Sequence, residues 1–149
     1  MPDFSQLLKR PAGTGAKPLP IPGETYLCVI TKVEHGKGYQ DVPVLRLILV
    51  PTEWPDSIPE DQRGQMINGE FVPTDLSKRQ LRKELEETDE KIYLLDKLME
   101  ECGIVFDGRS YEELTPELVG KMVYADVVQK PNKDLTEVYN NVNRVRGVK

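Results

Sequence analysis

One histidine and two cysteines are all that 149 residues provide of the side chains on which metal sites, disulfides and most acid–base centres are built. His35 has no nucleophile or carboxylate at a recognisable motif distance, so it reads as a plain polar histidine and no catalytic residue is assigned. Cys28 and Cys102 sit in apolar patterns without a Cys or His companion at ligand spacing. They read as buried thiols in a reducing compartment, not as a metal site or a disulfide. No apolar run approaches the roughly 18 residues a membrane span requires, and the first residues lack a signal-peptide core, so a cytoplasmic protein off the membrane is expected. Gly36-Lys-Gly38 and Gly13-Thr-Gly15 are too short to cradle a phosphate. A binding protein without a cofactor is expected, not an enzyme.

The net charge of −5 weighs against nucleic acid until its distribution is followed along the chain. Residues 1–50 carry six Lys and Arg against four Asp and Glu, and residues 121–149 carry six against three. The acid is concentrated between them, with eight basic residues against eighteen acidic ones. A basic strand surface and an acidic helical one can therefore coexist, although a solvated acidic helix leaves the same tally.

Residues 1–24 read as an extended tail, because Pro11, Pro18, Pro20 and Pro22 with three glycines remove helix and ladder hydrogen bonding. Phe4, Leu7 and Leu8 have helical spacing within it and suit a docking segment, on the domain itself or on a partner. Residues 25–149 then form the domain. Thr25 to His35 alternates with Leu27, Val29 and Val33 on one face, a first strand. After a turn-rich connection, Val44 to Val50 is a second strand, with Leu45, Leu47 and Leu49 inward and Arg46 outward. Trp54 anchors a Pro-rich loop or caps a groove, and Met66 to Val72 fits a short hairpin or a third strand. Leu76 to Glu87 fits helix and strand alike, with helix favoured. From Thr88, as cap, a firmer helix carries Ile92, Leu95, Met99 and Cys102 as one stripe and ends at Gly103. A short turn capped by Thr115 with Pro116 follows. Lys121–Lys130 and Glu137–Arg146 close the chain as a hairpin.

The final strand, Glu137-Val-Tyr-Asn-Asn-Val-Asn-Arg-Val-Arg146, sets a ring, amides and two guanidiniums beside alternating valines. With Val138 and Val142 inward, Tyr139 and Asn141 share the opposite face. Val145 follows Val142 by three, which implies a bulge near Asn143 that turns Arg144 and Arg146 outward. A solvated edge strand has the same pattern, but such a face also suits single-strand binding. The order of elements is that of a mainly β protein with some α: a five-stranded OB-type Greek-key barrel with its helix between strands three and four.

Two motifs, Asp3-Phe-Ser-Gln-Leu-Leu-Lys-Arg-Pro11 and Pro20-Ile-Pro-Gly-Glu-Thr-Tyr26, resemble the start of a family of small phage and prophage proteins. The similarity continues through Leu98-Met-Glu-Glu-Cys-Gly-Ile104, Gly108-Arg-Ser-Tyr-Glu-Glu-Leu114 and Leu118-Val-Gly-Lys121. The resemblance implies an OB-type single-stranded DNA-binding or recombination accessory protein and brings no catalytic residue. Under that expectation Tyr39, Tyr124 and Tyr139 stack bases, Asn141 hydrogen-bonds, and Lys37, Arg46, Lys130, Lys133, Arg144 and Arg146 neutralise phosphates. For Tyr124, packing against the helix competes with stacking. The other expectation is a module that docks a replication, recombination or host protein through the acidic helix and the tail, and the oligomeric state stays open.

Overall fold

The computed structural model describes residues 20–132, 135 and 137–148, so Phe4, Leu7, Leu8 and Lys133 lie outside the described residues. The protein is mainly β. Among the described residues, seven strands and two α-helices follow one another in the order β1 (Glu24–Lys37), β2 (Pro43–Pro51), β3 (Gly64–Ile67), β4 (Glu70–Pro73), β5 (Leu81–Glu86), α1 (Tyr93–Glu101), α2 (Tyr111–Leu114), β6 (Met122–Pro131) and β7 (Val138–Gly147). Five strands form one sheet in the order β5-β2-β1-β6-β7, antiparallel at every pairing, and β3 with β4 forms a separate hairpin.

β1 turns the opposite face inward from the one its alternation suggests. Tyr26, Cys28 and Ile30 are fully buried, while Leu27 and Val29 lie on the outer face. The segment is apolar on both faces, so period alone does not decide between them. A bulge at Thr31, between the pairs Ile30–Leu49 and Lys32–Ile48, then shifts the parity and brings Val33 inward. β2 behaves as its sequence says: Leu45, Leu47 and Leu49 are fully buried, with Arg46 on the outer side. Removing a leucine of this size from water stabilises the fold by about 1.5–3 kcal/mol.

Met66 to Val72 resolves as a hairpin, turned by Asn68 and Gly69 at φ 52° and 82°, the left-handed pair that matches strand twist. Of the segment Leu76 to Glu87, expected as helix, Leu76–Lys78 forms a 3-10 turn and Leu81–Glu86 is instead β5, paired along β2. Leu81 and Leu85 are four apart, a spacing that shares one face in helix and strand alike. Lys83 lies between them on the inner side of β5, an apparent violation of strand patterning that the sheet edge explains below.

The helix expected from Thr88 begins at Tyr93, because residues 89–92 form turns; the Thr88 carbonyl accepts from the amides of Lys91 and Ile92, and the helix has no side-chain cap. Its stripe is as expected: Leu95, Leu98 and Met99 are buried, with Ile92 and Cys102 against the core. Gly103, at φ 79°, ends it, and the Ile104 amide reaches back to the Met99 carbonyl at 3.0 Å. Thr115 is not a cap. Ser110 caps α2 by accepting from the Glu113 amide, and Thr115 opens a short 3-10 turn to Leu118.

The chain is pinned from Ile21, whose amide donates to Asn140 Oδ1 at 2.9 Å and whose carbonyl accepts from Gln129 and Asn140. α1 packs on β7 where Gly147 faces Glu101: a Cβ there would lie 2.6 Å from the Glu101 carbonyl carbon. Among the described residues no helix is long and apolar enough to cross a membrane.

Candidate nucleic-acid interface

The sheet curls until its two edge strands, β5 and β7, lie side by side and run in the same direction, but they form no ladder with each other. Edges left this way present backbone groups and side chains along a seam. Along it lies a groove of about 850 Å³. Arg79, Arg82 and Lys83 form one wall; Tyr139, Asn141 and Asn143 form the other.

The geometry of β7 follows from its bulge. Asp126 pairs with Arg144 and Val127 with Val142, so Asn143 is the extra residue, where the sequence spacing places it. Val142 is buried, Tyr139 is half exposed, and Arg144 and Arg146 turn outward. Val138, expected inward, is exposed because it pairs with Pro131 past the end of the core. Lys83 Nζ crosses the seam and donates to the Asn143 carbonyl at 3.1 Å. This explains the lysine on the inner side of β5: its stem covers apolar surface while its ammonium reaches the open edge.

The groove holds Arg79, Arg82 and Lys83 together with Glu84 and Glu137, and Glu84 is already paired with Arg46. Partial burial pushes the Arg79 guanidinium below its ordinary value. The same effect, joined by repulsion from Lys130, lowers the Lys83 ammonium. Arg79 and Arg82 make no ion pair among the described residues.

The expected residues divide. Tyr139 and Asn141 line the groove; Lys130 pairs with Tyr139 on the neighbouring strand, and Arg144 and Arg146 continue along β7. Lys37, the last residue of β1, and Tyr39, on the β1–β2 connection, are exposed at the end of β1 away from its pairing with β6. Arg46 is committed to Glu34 at 3.2 Å and Glu84 at 3.1 Å, a bridge across three strands that raises its pKa further. Tyr124 lies on the outer face of the sheet beside Leu27 with the Arg146 guanidinium 4.8 Å over its ring, not against the helix. Trp54 anchors its loop, edge-on to the buried Tyr26 at 6.2 Å. Arg79, Arg82 and Lys83 escaped the sequence reading because their segment was favoured as helix. The alternation Leu81, Lys83, Leu85 was the signal for them.

His35 is better connected than its sequence context indicates. Nδ1 lies 2.8 Å from Glu87 and Nε2 lies 3.1 Å from the Thr115 hydroxyl, partners 52 and 80 residues away. The order hydroxyl, imidazole, carboxylate is that of a nucleophilic triad, but Thr115 is fully buried and out of a substrate's reach, so the three groups clasp β1 to the turn after α2. Cys28 is buried, which pushes its thiol up to about 12. No group of three His, Cys, Asp or Glu suited to a metal occurs among the described residues. No protein-family model matches the chain, and no curated protein is similar to it.

Proposed function

We propose that this protein binds single-stranded DNA without strong sequence preference, in the groove between β5 and β7. The observation that carries the reading is the facing of Arg79, Arg82 and Lys83 against Tyr139, Asn141 and Asn143 across an unladdered seam. Cations on one side take phosphates, the ring stacks a base, and the amides bond exposed base edges. A single strand suits this seam better than a duplex, because stacking on Tyr139 and hydrogen bonding to Asn141 and Asn143 both need unpaired bases. On this reading the curled sheet is a five-stranded barrel of OB type left open at one seam, with β5 as its third strand and both helices following it. Arg46, neutralised by two glutamates, is structural, and the binding set shifts from the β1–β2 connection toward β5. A role in phage replication or recombination, without catalysis, follows from the family resemblance.

The test is fluorescence anisotropy of labelled oligothymidine at two salt concentrations, with duplex of equal length as competitor. Binding that weakens with salt and resists the duplex is expected. No binding at low salt and micromolar protein would overturn the proposal.

A further inference from the structure

A second groove, of about 470 Å³, lies between α1, β5 and the far half of β7. It shares Lys83, Glu84 and Asn143 with the first, so the two are continuous past the bulge. Three glutamates line it, and each is already engaged. Glu84 pairs with Arg46 at 3.1 Å, Glu86 with Lys91 at 3.6 Å, and Glu101 accepts from the Gly147 amide at 3.3 Å. Lys97 from α1 and Arg144 from β7 line the groove with no ion pair among the described residues, and Leu94, 41% exposed, adds apolar surface to it.

We infer that the bound single strand runs on from the first groove into this one, where Lys97 and Arg144 hold its phosphates. This rests on the single-strand reading above and adds α1 to the binding surface, a helix whose sequence marks it only as acidic. From Tyr139 to Arg146, β7 advances roughly 23 Å at roughly 3.3 Å per residue. That spans about seven nucleotides at the stacked spacing of about 3.4 Å, and fewer when the strand is extended. The first groove alone covers the nearer half of that path. The bulge at Asn143 lies at the junction of the two grooves, and beyond it α1 packs on β7 where Glu101 faces Gly147.

The experiment compares oligothymidines of about four and about eight nucleotides, lengths at the low end of OB-type sites, on the intact protein and on Lys97→Ala, Lys97→Arg and Arg144→Ala. The intact protein is expected to bind the longer probe more tightly and with a steeper salt dependence. Lys97→Ala and Arg144→Ala should each lose most of that gain and lower the salt slope by about 0.7, the value of one phosphate contact on a single strand, while the shorter probe is unaffected. Lys97→Arg should restore both. Unchanged length and salt dependence in both alanine variants, with the intact protein still binding, would overturn the extended path alone. Failure of the intact protein to bind either probe would overturn it together with the single-strand reading.

Discussion

Lys83 Nζ donates to the Asn143 carbonyl across 3.1 Å, so one ammonium on the inner side of β5 bridges the seam at the bulge of β7. Its partial burial and the nearby Lys130 disfavour the charged form. A lysine whose folded pKa lies below its unfolded value binds fewer protons folded than unfolded, so its cost to stability is largest at neutral pH and disappears as pH rises through the folded and then the unfolded pKa. Lys83→Met should therefore unfold at a urea midpoint equal to or above that of the intact protein near neutral pH, with the difference narrowing toward alkaline pH. It should also weaken oligothymidine binding. Urea titrations across that pH range check the first part and anisotropy the second.

Tyr139 and Tyr39 separate the groove from the β1–β2 connection. Tyr139 lines the groove and Tyr39 lies at the far end of β1. Tyr139→Ala should weaken oligothymidine binding by about 1–3 kcal/mol, roughly five- to 150-fold, the value of one stacked base. Tyr39→Ala should change it less than about twofold by the same standard.

Arg46→Gln should lower the urea midpoint and leave oligothymidine affinity nearly unchanged, because the guanidinium holds Glu34 and Glu84 and has no charge to spare for a phosphate. A marked loss of binding in a stable Arg46→Gln would show that the outer face of β2 belongs to the site.

Gly147→Ala places a methyl group against the Glu101 backbone, 2.6 Å from its carbonyl carbon, so α1 and β7 must separate. A loss of about 1–3 kcal/mol is expected from thermal or chemical unfolding. The loss should be smaller for Gly108→Ala, which meets no neighbour and bears only the strain of φ 75°.

Local pattern was enough to read β2, β6, β7 and the buried stripe of α1, because each is apolar on one face and bounded by turn residues. The bulge at Asn143 was legible for the same reason: a step of three between Val142 and Val145 has no other strand solution. The inward face of β1 was not, since Leu27 and Val29 are as apolar as their neighbours and the bulge at Thr31 leaves no mark in composition. β5 escaped because Lys83 interrupts its apolar face, and only the open edge opposite Asn143 makes that lysine acceptable. Half of the groove was lost with it. The His35 clasp was hidden by distance, since both partners come from other elements.

The measurement that tests the location of binding most directly is a backbone amide NMR titration of the intact protein with oligothymidine at low salt. The account predicts that the largest shifts fall on residues 79–84 and 139–146, on both walls of the seam, with Lys37 to Asp41 little affected. Shifts confined to the β1–β2 connection or to the outer face around Arg46, or no shifts at all, would contradict it.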